Sequence, residues 1–315
     1  MTSQAPLISI ISPCLNAAAF IGEMIESVRS QSGPAIEHIV LDGGSSDGTR
    51  DILASFPHLR VTVGPDEGSH DAMNRGLALT RGRIIGFINT DDRYAPRLLS
   101  AVAERFAAEP EIDAVIGRSY VVARRGSEWR AIAQHPLCRG GGFDLGDLMY
   151  GIPCFNARFF RRDVFERVGN FSLRFSFSAD RHFLLRLALT SCRGGVLDRP
   201  AYFYRSHDAS RTLDRNGRNA RAINLEHIAI AEALLADDPD APARRVIRAW
   251  RAYEGARAML YGRRLGIRAA HAVDLPLGLA CKLRTMAYRR RARLPHDIDV
   301  DQREEPSAGM RRAEL

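Results

Sequence analysis

Asp42-Gly43-Gly44-Ser45-Ser46-Asp47-Gly48-Thr49 follows the β-like run His38-Ile39-Val40-Leu41, and Asn89-Thr90-Asp91-Asp92 follows Ile84-Ile85-Gly86-Phe87-Ile88. Each motif therefore begins where a strand ends. In an open α/β sheet, ligands bind outside the carboxyl ends of the strands. Carboxylates placed there can hold a divalent cation and a nucleotide diphosphate together. The pair of motifs points to a site for a nucleotide diphosphate and its cation.

The flanking sequence continues the alternation. Upstream, Leu7 to Ser12 reads as a buried strand, Pro13-Cys14-Leu15-Asn16 as a loop, and Phe20, Met24 and Val28 repeat at helical spacing. Between the motifs, Leu59 to Val63 reads as a strand and Asp71 to Leu79 as a helix. Downstream come a helix from Pro96 to Ala108 and a strand from Ile112 to Val122. Such alternation gives an α/β chain, with a mostly parallel sheet flanked by helices. Gly126 to Gly151 is irregular, Phe159 to Val168 and Ala179 to Ser191 read as helices, and Val196 to Tyr204 reads as a late strand. Beyond Asn216 the pattern is helical, and Pro295 to Leu315 is polar enough to be read as disordered.

Composition sets the limits. The 315 residues suffice for one large domain with an appendage, or for two domains. No apolar run reaches the ~18–20 residues of a spanning helix. The opening Met1-Thr2-Ser3-Gln4-Ala5-Pro6 lacks the charged and apolar regions of a signal peptide. Cys14, Cys138, Cys154, Cys192 and Cys281 are scattered and form no Cys-x-x-Cys, which argues against a disulfide framework or a zinc site. A cytoplasmic protein with reduced thiols is the expectation. Ala243 to Arg293 holds 14 basic and two acidic residues, a net +12, which leaves −4 for the rest of a chain whose total is +8.

Each motif also has a plain structural reading. Asp91 could cap the turn after its strand. In the glycine-rich motif, Asp47 fits the role of a helix cap, while Asp42 is free to offer acceptors to a base or ribose. Gly64 to Gly76 (Gly-Pro-Asp-Glu-Gly-Ser-His-Asp-Ala-Met-Asn-Arg-Gly) is a polar loop feeding a helix N-terminus, which suits anions. There Asp71 could bind a ligand or cap the helix. His182 and His207 could approach phosphate or metal, although ordinary polar roles fit them better.

These motifs, in this order, resemble family 2 glycosyltransferases of the GT-A fold. The subgroup pattern DGGSTDGT … PDxGxYDAMNKG … LNSDD of bacterial polysaccharide-assembly enzymes is met by Asp42 to Thr49, Pro65 to Gly76 and Asn89 to Asp92. Ser9 to Asn16 is similar to that family's xSIIxPxYN, and the likeness runs from Leu7 to about Arg211. The resemblance implies that Pro13 and Asn16 line the nucleotide pocket and that Asp42 meets the base or ribose. It implies that Asp71 also lies at the donor, that Asp91 sits near ribose and metal, and that Asp92 binds metal and diphosphate. The cation would be Mn²⁺ or Mg²⁺. The family's general base opens a later helix, where Phe177-Ser178-Ala179-Asp180 offers Asp180; its alternative role is a helix cap. Transfer would proceed with inversion, and absence of QxxRW favours a single sugar transfer over polymerisation. The chain departs from the wider family at Gly43, where many members have Asp, and at Met73, where many have Arg. It departs from the subgroup at His70, which replaces Tyr, and at Asn89, which replaces the first acid of the DxD-type motif.

The expected organisation is a GT-A catalytic domain over residues 1–211, a helical basic extension over 212–294 and a tail over 295–315. Residues 1–122 would bind the nucleotide-sugar and 123–211 would face the acceptor, a sugar or a lipid-linked sugar. A basic helix carrying Trp250, Tyr253, Leu260 and Tyr261 could lie on an anionic membrane, making the protein peripheral at the inner face; the same apolar residues could instead pack on the catalytic domain. Nothing resembles a nucleic-acid module. Two other functions fit less well. A nucleotidyltransferase would carry basic residues in the loop after its first strand, and Pro13 to Ala17 has none. A non-catalytic binding protein would not need Asp91, Asp92 and Asp180.

Overall fold

The computed structural model describes residues 7–126, 128–207, 219–260 and 274–291. The first half follows the expected alternation: β1 (Ile8–Cys14), α1 (Ile21–Arg29), β2 (Ile36–Asp42), α2 (Thr49–Ala54), β3 (Leu59–Val63), α3 (Ser69–Leu79) and β4 (Ile84–Phe87). Then come the two-residue β5 (Arg93–Tyr94), α4 (Leu98–Ala108), β6 (Ala114–Arg125) and β7 (Glu128–His135). The second half holds α5 (Leu145–Tyr150), β8 (Arg158–Arg161), α6 (Asp163–Val168), α7 (Ala179–Ala188) and β9 (Gly194–Arg205). Three helices close the described chain: α8 (Ala220–Ala236), α9 (Ala241–Leu260) and α10 (Leu275–Arg291).

One sheet runs in the order β3-β2-β1-β4-β8-β6-β9-β5, with β7 on the edge of β6. The β3-β2-β1-β4 half is wholly parallel. Beyond it β8 runs antiparallel to both β4 and β6, β9 is parallel to β6, and β5 and β7 pair antiparallel. The sheet as a whole is therefore mixed. Because β8 reverses direction once on each side, β9 again points the same way as β4. The carboxyl ends of β1 to β4 and of β9 thus share one edge.

Side chains alternate across a strand, so each strand feeds two cores. Ile10, Val40, Ile84 and Phe159 pack beneath α1 and α4 with Ile21, Met24, Leu98 and Val102. Ile11, Ile39, Leu41, Ile85 and Phe87 face the other layer with Phe160, Phe165, Phe183, Ile230, Ile247 and Trp250. Phenylalanines interlock there: Phe165 stacks on Phe183 at 5.0 Å, and Phe87 meets Phe155 at 5.3 Å.

Two expectations need correction. Phe159 to Val168, read as one helix, is strand β8 followed by the short helix α6. Phe159 and Phe160 enter opposite cores, which only an extended backbone permits; a short apolar run does not reveal this by periodicity. Within Gly126 to Gly151, read as irregular, β7 forms a ladder with β6.

The basic extension is not an appendage with a free apolar side along α9. Trp250 and Ile247 are fully buried in the main core, and the Tyr253 ring meets that of Tyr150 at 5.4 Å. Of the two alternatives, Trp250 takes the packing one, and Tyr253 is partly buried beside it. These side chains give more free energy by leaving water against the catalytic layer. Residues 208–218, which contain the expected boundary at 211, lie outside the described residues, as do Tyr261, the Leu260 side chain and the tail 295–315.

Candidate active site

The rim at the carboxyl edge of the sheet is built by hydrogen bonds between loops. Asn16, after β1, has φ 50, a left-handed conformation that Asn tolerates better than most residues. Its N–H donates to Ser45 Oγ at 2.8 Å, and its Oδ1 accepts from Ser46 N–H at 2.9 Å. Ala17 N–H donates to Thr49 Oγ1, and Ala18 N–H to Asp47 Oδ2. Asp47 Oδ1 accepts from Thr49 N–H at 3.1 Å. Asp47 thus locks the β2 loop to the β1 loop, in keeping with its structural reading. Pro13 lies at the end of β1, opposite Leu41 of β2.

Asp42, at the end of β2, is 1% exposed. Its Oδ1 accepts from Ser45 N–H and Ser45 Oγ–H, and its Oδ2 accepts from Arg50 Nε–H at 3.1 Å. Burial opposes ionisation, but the bonds from Ser45 and Arg50 outweigh it and hold the carboxyl below the usual carboxylate range. Asp42 is therefore an anion that shapes its own loop. Next to it, Gly43 faces the end of a side chain from the next loop. A Cβ there would come within 2.7 Å of Asp66 Oδ2. The loop after β3 thus delivers an acid to the place where many relatives carry one at position 43.

Asp71 occupies the first turn of α3, and its Oδ2 accepts from Glu67 N–H at 3.2 Å. Its carboxylate is turned back toward the loop before the helix, whose N-cap residue Gly68 takes no side-chain bond.

The two aspartates after β4 divide sharply. Asp92 is 1% exposed. Its Oδ2 accepts from Tyr202 Oη–H at 2.5 Å, and its Oδ1 from Arg205 N–H at 2.7 Å. Burial, and then the charge of Asp91, push its pKa well above the ordinary value. Asp91 instead lies half-buried, with its Oδ2 2.9 Å from His207 Nε2. The His207 ring leans on Phe20 at 4.9 Å. The outward acid of the pair is therefore Asp91, whereas the sequence places the metal and diphosphate chiefly on Asp92.

Tyr202 binds this corner together. Its hydroxyl also accepts from Asn156 Nδ2–H at 2.9 Å and from Asn89 N–H at 3.3 Å. Replacing Tyr202 with Phe takes the acceptor from these two donors and leaves Asp92 Oδ2 with only the long bond from Asn89 Nδ2–H at 3.4 Å. We expect a loss of about 1–3 kcal/mol in stability, read from urea unfolding. An unchanged unfolding midpoint would mean the cluster is rewired by water.

Arg205 lies behind His207, 2% exposed, between the rings of Phe20 and Trp129 at 4.8 and 4.5 Å, and donates to Glu23 Oε2 at 2.6 Å. Sequence reasoning missed Tyr202, Asn156, Arg205 and Asp66, and set His207 aside. His207 is 116 positions from Asp91, and no local pattern spans that interval.

Asp180 comes from another element. It lies half-buried in the first turn of α7, after the N-cap residue Ser178. Its Oδ1 accepts from Arg181 N–H at 2.6 Å. Asp180 is therefore not the N-cap residue. Arg181 donates to the carbonyls of Leu148, Met149 and Gly151, pinning the end of α5 to α7. The preceding loop is tied to α3 by a pair of bonds between Asn74 and Phe171. His182 is buried against Phe175 at 4.9 Å, and burial, with Arg186 and Arg174, lowers its pKa to about 4. It is a neutral core residue.

Among the described residues no group of three or more His, Cys, Asp or Glu side chains is placed to hold a metal ion. The Asp91–His207 pair offers one carboxylate oxygen and one imidazole nitrogen. The thiols are unpaired. Burial, and then the charge of Asp42, raise Cys14 to about 12, which leaves it no nucleophile.

Comparison with known proteins agrees with this architecture. The sequence profile described as glycosyl transferase family 2 matches residues 9–169. A PGL/p-HBAD biosynthesis glycosyltransferase of Mycobacterium bovis is 34% identical over 189 residues, covering 58% of this chain and 70% of that one. The crystal structure of S. aureus TarS 1–349 in complex with UDP-GlcNAc superposes with a TM-score of 0.63 at 18% identity, covering 90% of this chain and 81% of that one. The full TarS chain is matched over only 49% of its length. The mannosyltransferase PcManGT from Pyrobaculum calidifontis, in complex with GDP-Man and Mn²⁺, gives 0.51 at 19% identity, covering 91% and 84%. At these identities the structural likenesses show a shared GT-A-like fold.

Proposed function

The chain belongs to glycosyl transferase family 2, and we propose that it moves one sugar from a nucleotide-diphosphate sugar to an acceptor hydroxyl, with inversion and with help from a divalent cation. The observation that carries this reading is the Asp91–His207 pair, 2.9 Å apart at the carboxyl edge of the sheet.

The donor would lie across the loops after β1, β2 and β4, with Pro13, Asn16 and Asp42 toward the nucleoside and Asp71 shaping the floor. Asp91 and His207 would hold the cation. A carboxylate with an imidazole suits Mn²⁺, and ions of this type keep waters and take substrate phosphates to complete their shell. When bound, the cation neutralises charge gathering on the departing nucleoside diphosphate. Asp92, tied to Tyr202 and the Arg205 backbone, would keep Asp91 in place, so that it supports the metal site from behind. Asp180 would take the proton of the acceptor hydroxyl as its oxygen attacks the anomeric carbon and the bond to diphosphate breaks on the opposite side. The residues would then divide as expected from sequence, with 1–211 catalytic and 212–294 an extension.

The UDP-GlcNAc bound to TarS and the GDP-Man and Mn²⁺ bound to PcManGT support a nucleotide-sugar and a metal. The PGL/p-HBAD relative supports an acceptor from polysaccharide or glycolipid assembly. Among the described residues no helix is long and apolar enough to cross a membrane; a cytoplasmic enzyme, working at the inner face of the membrane, fits this reading.

A thermal-shift screen of nucleotide sugars tests the proposal, because a ligand that binds only the folded state raises its stability, by about 2.7 kcal/mol at a hundred times Kd. At least one donor should stabilise the protein in Mn²⁺ and not in EDTA. No response to any nucleotide sugar or nucleoside diphosphate would contradict it.

A further inference from the structure

Helix α10 has its apolar side outward. One face packs on its neighbours: a Cβ on Gly278 would lie 2.5 Å from the Ala249 carbonyl of α9, Thr285 is 2% exposed, and Lys282 Nζ donates to the Tyr150 carbonyl of α5 at 2.8 Å. The opposite face carries Pro276, Leu279, Ala280, Leu283, Met286 and Ala287, all exposed. At 3.6 residues per turn these form one stripe over about a third of the circumference. Leu279, Leu283 and Met286 are 48, 65 and 37% exposed. Arg284 borders the stripe, exposed. From Lys282 to Arg293 the sequence has six basic residues and no acidic one.

A helix that only covers a core shows the reverse pattern, polar outward. An outward apolar stripe bordered by an exposed arginine, in a stretch of sequence without acidic residues, is the pattern of a helix lying in the surface of an anionic bilayer. We propose that this face of α10 is a docking surface for an anionic lipid membrane. The apolar side chains enter the acyl boundary, and Arg284 at the border of the stripe meets headgroup phosphates. The charge complementarity selects a lipid surface over a second copy of the chain, which would set like charges face to face. The burial of Trp250 and Tyr253 moves the membrane face from α9 to α10. Binding can be measured without donor or acceptor, so this inference stands or falls apart from sugar transfer.

The test is co-sedimentation of the full chain with vesicles of phosphatidylcholine alone, or with phosphatidylglycerol added. The protein should sediment with anionic vesicles at low salt, be released as salt rises, and stay in solution with neutral ones. Replacing Leu279, Leu283 and Met286 together by Gln should lower the partition coefficient roughly tenfold or more at unchanged Tm. Arg284→Gln alone should lower it about fivefold. Three results would overturn the proposal: no binding to anionic vesicles at low salt, equal binding by the triple variant, or a dimer lost in the triple variant without vesicle binding.

Discussion

Asp91→Asn will abolish metal-dependent donor binding and lower sugar transfer by about three orders of magnitude, the several kcal/mol that a cation contributes to a departing charged group. The fold will survive, because Asp91 is only half-buried and pairs with His207, itself half-buried at the rim. Calorimetry of the nucleoside diphosphate with Mn²⁺ reads the binding, and the kinetics of nucleoside-diphosphate release read the transfer. Asp92→Asn will behave differently. Both its oxygens accept hydrogen bonds inside the protein, so an amide there disturbs the corner itself and lowers stability along with activity. Equal metal dependence in wild type and Asp91→Asn would take this residue out of the site.

Asp180→Asn will leave donor binding intact and reduce turnover by roughly 10²–10⁴-fold, the usual contribution of a positioned general base. The amide keeps the shape of the carboxylate and can still accept from Arg181 N–H, but it cannot take a proton. Because Ser178 and not Asp180 is the N-cap residue, losing the charge costs the helix end only the dipole contribution, about 0.3–1 kcal/mol. The discriminating pattern is a fall in kcat with little change in donor KM and Tm. Near-normal transfer to acceptor would assign Asp180 a structural part only.

The parallel half of the fold was legible because β1, β2 and β4 are short, mostly apolar runs that end in polar loops, and α1 and α4 have clear apolar faces. Asp42, Asp91 and Asp92 were legible as a group for the same reason: all follow such strands. What escaped was whatever depends on distant pairing. Phe159 and Phe160 look helical until β4 and β6 are seen on either side of β8. The division of labour between Asp91 and Asp92 is set by Tyr202, Arg205 and His207, more than a hundred positions away. Gly43 reads as a missing acid, yet it makes room for Asp66 from the next loop. The basic stretch was read as one amphipathic unit, although α9 turns Trp250 inward and α10 leaves Leu279 and Leu283 out. Charge counting alone cannot divide a segment by the faces its helices present.

The measurement that bears most directly on the account is the anomeric configuration of the product, followed by NMR with the donor that stabilises the protein in Mn²⁺. Direct displacement assisted by Asp180 gives a product of inverted configuration, formed with the metal and lost in EDTA. A product that keeps the donor's configuration, or one formed equally well without metal, would contradict it.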